Sequence, residues 1–332
     1  MITGKYPNLR LRRTRKYSWS RRLLQENSLS SNDFILPIFL VDGKNTKQSI
    51  RTMPEIYRYS VDKLGDVIEN AIKCRIPMVA LFPYTKKSNK DIFGSEALNE
   101  DNLVCNAIRY IKKRYKNEIG IMSDVALDPY TSHGHDGLIK SNYVLNDETI
   151  EVLIKQALLQ AQMGSDVIAP SDMMDGRVGK IRKALDKNNL QMVQILSYAV
   201  KYASSFYGPF RNAVGSKISL KGNKQNYQMN IGNSDEALRE VALDIKEGAD
   251  MVMVKPGLPY LDIIKQVKDN FKIPVMAYQV SGEYSLIKNG IKKKFINEDS
   301  ILESLMSFKR AGASAIVTYF AFKAAKSIKK FS

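Results

Sequence analysis

Short apolar runs that alternate with helix-like segments constrain the fold of this chain more than any other feature. The runs read ILPIFL (35–40), MVALF (78–82), IGIMSDVAL (119–127), DVIAP (166–170), VQILSYA (193–199), DMVMVK (250–255), PVMAYQV (274–280) and SAIVTYF (314–320), eight in all. Such runs suit strands buried on both faces of a parallel sheet. Between most of them the apolar residues fall into a helical period: VDKLGDVIENAIK, DNLVCNAIRYIKKRY, DETIEVLIKQALLQAQMG, DEALREVALDIKEG, PYLDIIKQVKDNF and DSILESLMSFKRAG. Three of these segments end in glycine after the last apolar turn, at Gly164, Gly248 and Gly312, and the polar stretches NDET (146–149) and NEDS (297–300) suit helix N-termini. Alternating strands and helices imply a parallel sheet. Eight strands in 332 residues predict an α/β fold of the (β/α)8 TIM-barrel type, which typically takes about 250 residues. Residues 1–32 are left over as an extended N-terminal arm, and 33–332 form the catalytic barrel domain. A doubly wound sheet is the alternative, but no glycine-rich phosphate fingerprint follows any of the strands.

In a barrel the chemistry sits at the C-terminal ends of the strands, and there the run MVMV meets Lys255 before breaking at Pro256 and Gly257. A lysine in an apolar barrel mouth loses hydration of its ammonium, so its pKa falls and its neutral amine becomes a nucleophile for a carbonyl. Lys201 follows the run VQILSYAV at a second strand end, and each cation would depress the pKa of the other. Pattern alone leaves the alternative open that either lysine snorkels outward or pairs with a carboxylate.

Composition bears on what else the chain could be. A formal charge of +17 invites a nucleic-acid reading. The basic residues, however, lie in short runs along the chain (Arg10 to Lys16, Lys112 to Arg114, Lys292 to Lys294, Lys329 with Lys330), without a recognition motif. No apolar run is long enough for a bilayer, so neither nucleic acid nor membrane is expected as a partner. The arm MITGKYPNLRLRRTRKYSWSRRLLQ is basic and lacks the apolar core of a secretory signal. The expectation is a cytoplasmic protein, with an organellar location as the alternative because Arg-rich starts also occur in transit peptides. Cys74 and Cys105 are far apart and in no metal-type spacing, which argues against a disulfide framework or a Cys-rich zinc site.

Several long motifs then narrow the reading: MVMVKPG, KYASSFYGPFR, APSDMMDGRVG, DPYTSHGHDG and YQVSGEY, with LRRTR and LPIFLVDG near the start and IVTYF near the end. Together and in this order they resemble the porphobilinogen synthase, or 5-aminolevulinate dehydratase, family over nearly the whole chain. The resemblance implies a lyase that condenses two 5-aminolevulinate molecules to porphobilinogen in haem biosynthesis, on a TIM barrel assembled as a homo-octamer through its arms. It implies that Lys201 and Lys255 each form a Schiff base with one substrate's keto group, an iminium being a better electron sink than a ketone. Asp124, at the end of IGIMSD, matches the family's active-site aspartate and would move protons or steady an ammonium, the alternative being a carboxylate that caps a strand-end loop.

The same resemblance places Arg211 and Lys224 on one substrate carboxylate with Gln228 nearby, and Ser281 and Tyr319 on the other. Tyr207, Phe210, Tyr278, Phe82 and Ser171 would line the pocket, although barrel packing alone also accounts for the bulk of Tyr207, Tyr278 and Phe82. The segment from Arg211 to Tyr227, rich in Gly, Ser, Lys and Asn, suits a mobile lid. Two departures stand out. Lys224 stands where many relatives have arginine, which replaces a bidentate fork by a point charge. Asn212 stands where the common motif has aspartate, which puts in doubt any carboxylate ion pair there.

Metal usage follows from residue type. Zinc-dependent relatives place three cysteines in the stretch that here reads DVALDPYTSHGHDG, and this chain has Ala126, Asp128 and Asp136 at those positions. Without thiolates no zinc is expected, whereas oxygen ligands suit Mg²⁺ or no metal at all. His133 and His135 read as hydrogen-bonded structural groups. Glu240, in DEALREVALDIKEG, matches the family's allosteric magnesium ligand, waters completing the octahedron; its alternative is a solvated helix carboxylate. The remaining enzymatic alternative is another Schiff-base barrel such as a class I aldolase, which needs only one such lysine.

Overall fold

The computed structural model of the chain describes residues 4–215, 220 and 222–331. Each of the eight apolar runs is a strand: β1 (Phe34–Val41), β2 (Met78–Tyr84), β3 (Gly120–Val125), β4 (Val167–Pro170), β5 (Gln194–Lys201), β6 (Met251–Lys255), β7 (Val275–Gln279) and β8 (Ala315–Thr318). Each pairs in parallel with the next, and β8 returns to β1, with Phe34 opposite Ile316 and Ile35 opposite Val317. The ring is therefore closed, and no barrel edge is left to pair with another chain. Strand β1 is buried at every position, as expected for a strand with side chains inside the barrel on one face and helices against the other.

The punctuation of the helices matches the pattern. Gly164, Gly248 and Gly312 stand just past helices with φ of +108°, +105° and +108°, a left-handed turn that glycine adopts without a Cβ penalty. The polar stretch NDET opens the helix Asn146–Gln162, with Asp147 and Glu148 in its positive first turn. Three helices of more than ten residues lie outside the expected segments: Arg177–Lys187, Ser281–Lys292 and Ala321–Phe331. The first two are poor in periodic apolar residues or interrupted by Gly282 and Gly290, so packing rather than intrinsic pattern holds them. Val178, Ile181 and Leu185, for example, are all fully buried.

A short antiparallel pair, Lys47–Ser49 with Tyr57–Tyr59, extends the sheet beyond the barrel; its second strand runs parallel to β1, with Arg58 opposite Phe39. The arm carries a 3-10 turn over Leu11–Arg15 and a helix over Ser18–Leu23, and it leaves Leu11, Tyr17, Trp19 and Leu23 exposed. No described helix is long and apolar enough to cross a membrane.

Candidate active site

The barrel brings the strand-borne candidates to one end. Phe82 lies near the end of β2, Asp124 at the end of β3, Ser171 just past β4, Lys201 ends β5 and Lys255 ends β6, while Tyr278 and Ser281 bracket the end of β7 and Tyr319 follows β8. Lys201 and Lys255 are Cα partners on neighbouring strands, and each is only 6% exposed. Two amines that lie 54 residues apart in sequence thus share one wall of the barrel mouth.

Their surroundings differ. The Lys255 ammonium lies among four aromatic rings, 4.6 Å from the centroid of Tyr278, 4.9 Å from Tyr198, 5.1 Å from Phe210 and 5.6 Å from Tyr207. Among the described residues no carboxylate comes within ion-pair distance of it. Burial, with the charge of Lys201 adding to it, lowers its pKa to about 7, against the opposing pull of Asp124. Lys201 instead donates a hydrogen bond to the Ser171 carbonyl and stands 3.6 Å from the Asp136 carboxylate. Burial alone would raise the pKa of Asp136, but Lys201 and Lys224 hold it well below the usual carboxylate range.

Lys224 donates to Asp136 at 3.0 Å and to Asp128 at 3.4 Å. Burial works against its charge, yet these two carboxylates raise its pKa overall. The positions at which zinc-dependent relatives place cysteines thus carry the counter-ions of two lysines. A donor set of two ammonium-bound carboxylates and an alanine does not fit tetrahedral zinc.

A pocket opens beside the two lysines. Asp124, Asp128 and Ser171 line it from the strand ends; Tyr207, Phe210, Arg211, Lys224 and Gln228 line it from the long segment after β5. Burial raises the Asp124 pKa to about 6, against the pull of Lys255 and Lys201. Its Oδ1 is buried with no hydrogen-bond partner among the described residues, and so is Gln228 Oε1. Unpaired buried acceptors of this kind mark places where a ligand or water completes the site.

The segment after β5 is tied down at several points. Tyr207 donates to the carbonyls of Tyr202 (2.8 Å) and Lys255 (3.1 Å), while Met229 donates to the Lys201 carbonyl at 3.0 Å, which seats Gln228 beside that lysine. Phe210 and Arg211 ride on a short helix, Gly208–Ala213. The expected lid falls partly outside the described residues, which omit 216–219 and 221; its first residues continue that helix.

Ser281, Tyr278, Tyr319 and Phe82 do not line the cavity. Ser281 is fully buried and accepts a hydrogen bond from the Phe210 amide at 2.8 Å, and the hydroxyls of Tyr278 and Tyr319 lie 3.2 Å apart. Phe82 packs edge-on against Phe210 at 5.4 Å between centroids. The three rings form an aromatic wall behind Lys255, with Ser281 beside it. His133 and His135 are hydrogen-bonded as expected, the first to the Ile92 carbonyl and the second to Tyr227, each at 3.2 Å. Tyr198 was not anticipated. It sits three residues before Lys201, and nothing in the sequence indicates that the register carries its ring under Lys255.

Glu240 stands in a second pocket together with Glu236 and Asp175; Gln228 is the residue common to both pockets. Burial raises its pKa to about 7, with Arg177 opposing and Asp244 reinforcing. Among the described residues no group of three or more histidines, cysteines or carboxylates is placed to hold a metal ion, so a cation beside Glu240 would be held largely through water.

Fold and site together define a (β/α)8 barrel with two adjacent buried lysines at its C-terminal mouth. Comparison with known proteins is in accord. The chain belongs to the delta-aminolevulinic acid dehydratase family, whose model matches residues 8–327, and it is accordingly a hydro-lyase. It is 56% identical over 322 residues to the delta-aminolevulinic acid dehydratase of Bradyrhizobium diazoefficiens, covering 97% of this chain and 91% of that one. To the Rhodobacter capsulatus protein of the same name it is 49% identical over 329 residues, covering 99% of each. The crystal structure of the Toxoplasma gondii ME49 enzyme, in complex with the reaction product porphobilinogen, matches with a TM-score of 0.95 at 43% identity, over 98% of this chain and 92% of that one.

Proposed function

We propose that Lys201 and Lys255 each bind one 5-aminolevulinate as a Schiff base, and that their pairing across β5 and β6 is what joins the two substrates. The reaction itself is that of the family: two 5-aminolevulinate molecules condense to porphobilinogen with loss of water, in tetrapyrrole biosynthesis. The observation that carries the residue-level reading is the register of the two lysines, adjacent and equally buried. With a pKa of about 7, a large fraction of Lys255 is neutral amine at physiological pH and attacks a keto carbon directly; the carbonyl oxygen leaves as water. Asp124, at about 6, exchanges protons near neutrality for these steps. Arg211 takes one substrate carboxylate, with Lys224 and Gln228 beside it; the other falls to Ser281 and Tyr319, which lie behind Phe210 and meet substrate once that ring moves aside. Two substrates held side by side need only form one carbon–carbon and one carbon–nitrogen bond, which is where proximity contributes most.

The test is porphobilinogen formation by the purified protein, with borohydride added during turnover. Labelled substrate trapped on both Lys201 and Lys255 supports the reading, whereas trapping on a single lysine in every preparation overturns it in favour of an aldolase-like site.

The enzyme is of the zinc-independent, magnesium-responsive kind, supported by the Asp128 and Asp136 ion pairs and by the environment of Glu240. When bound, Mg²⁺ would supply positive charge at Glu240, outside the cavity of the lysines. Activity should survive EDTA, gain nothing from Zn²⁺ and rise with Mg²⁺, and the Mg²⁺ response should vanish in Glu240→Ala. The exposed aromatic and aliphatic residues of the arm support contact between copies through it, and we read the assembly as an octamer. Light scattering of the protein with and without residues 4–24 measures that assembly.

A further inference from the structure

We propose that Arg58 is a positioning residue for the substrate-carboxylate clamp, setting the place of Arg211 through the backbone of the helix that carries it. The inference rests on the reading that Arg211 holds a substrate carboxylate. Arg58 belongs to the short strand Tyr57–Tyr59 outside the barrel, and it is only 8% exposed. Its Nε donates to the Ala213 carbonyl and its Nη2 to the Asn212 carbonyl, both at 2.7 Å. Its Nη1 donates to Gln48 Oε1 at 3.0 Å, and its guanidinium carbon lies 4.3 Å from the centroid of the Tyr84 ring.

The last carbonyls of a helix have no partner within the helix, and a cation there also meets the negative end of the backbone dipoles. The fork of a guanidinium reaches two of those carbonyls at once, which an ammonium does not do. The helix Gly208–Ala213 is too short to hold its own shape, so its tethers decide where it sits. At one end the Phe210 amide is bonded to Ser281; at the other Arg58 grips Asn212 and Ala213, and Arg211 lies between the two. Gly215 tightens the same corner. It has φ of +71°, and a Cβ there would come within 2.7 Å of Tyr84, so the ring is packed between the glycine and the guanidinium. The Asn212 departure also becomes harmless, because Arg58 takes the backbone carbonyl, which any residue supplies.

The experiment is steady-state kinetics with 5-aminolevulinate on R58Q, R58K, R211A and the R58Q/R211A pair. R58Q should raise KM roughly tenfold while kcat moves by less than about threefold, and R58K should recover part of the change. In the R211A background R58Q should add little, because both substitutions disable one contact. If R58Q does not fold, R58K carries the same test with a smaller shift. An unchanged KM in the Arg58 variants beside a raised KM in R211A overturns the proposal, as does full additivity in the double variant. An unchanged KM in R211A overturns the carboxylate reading itself and takes the proposal with it.

Discussion

Lys201 and Lys255 make a comparison almost free of confounding differences. They share residue type, pairing register, strand-end position and degree of burial, yet one sits among carboxylates and the other among rings. Burial therefore does not decide what a lysine becomes in this site; its neighbours do. On the Lys201 side Asp136 lies within 3.6 Å and is shared with Lys224, so positive charge is balanced where it sits. On the Lys255 side four rings offer a weak attraction for a cation, no carboxylate among the described residues comes within ion-pair distance, and desolvation prevails. A condensation of two like molecules gains from such asymmetry, since it gives two otherwise identical substrates different surroundings.

The largest expected effect tests whether both lysines carry chemistry. Lys255→Ala and Lys201→Ala should each lower porphobilinogen formation by on the order of a thousandfold or more. If either variant keeps near-normal turnover, the two-Schiff-base scheme fails for that side. In the wild-type enzyme, borohydride trapping at Lys255 should rise with pH and reach half its maximum near 7, where the amine loses its proton. A midpoint near 10 would mean that the rings do not desolvate it as argued.

The balanced side is broken by Asp136→Asn, which leaves Lys201 beside a neutral amide and Lys224 with Asp128 alone. Removing one partner of a buried pair costs about 3–5 kcal/mol. The sign with pH follows from the depressed folded-state pKa of Asp136. Its stabilisation is complete above the unfolded carboxylate value of about 4 and is lost as pH falls below that. Thermal unfolding should show wild type well above Asp136→Asn at pH 7, with the gap beginning to narrow only below about pH 4. A gap independent of pH would assign the loss to packing.

The barrel was legible because its physics is repetitive. Eight buried strands each announce themselves by a continuous apolar run, and the helices between them by period and by terminal glycine. Lys201 and Lys255 were legible for a related reason, since a charge at the end of such a run has nowhere ordinary to go. What the pattern could not carry is cross-strand register and long-range contact. Tyr198 under Lys255, Asp128 and Asp136 as counter-ions, and Arg58 on a helix over 150 positions away depend on which atoms meet when the ring closes. Ser281 and Tyr319 were named in sequence, but only the coordinates place them behind the cavity, tied to Phe210 and Tyr278. Helix Ser281–Lys292 escaped notice because its glycines hide its period.

The smallest effect sharpens the comparison from the aromatic side. Gly257 follows Lys255 by two residues, and its φ of −99° is open to any amino acid, so conformation does not explain the glycine. Space does. A Cβ at this position would lie 2.3 Å from Phe308 Cε1 and 3.1 Å from the carbonyl of Tyr278, whose ring faces the Lys255 amine. Gly257→Ala must push Phe308 or the strand-end loop aside, at about 1–3 kcal/mol for overpacking. The displacement falls on the rings around Lys255 and leaves the Asp136 ion pairs in place. Trapping at Lys255 should therefore lose its midpoint near 7 and shift toward that of an exposed lysine, while trapping at Lys201 stays as in wild type. Equal change at both lysines would show that the two environments are coupled more tightly than their separate neighbours imply.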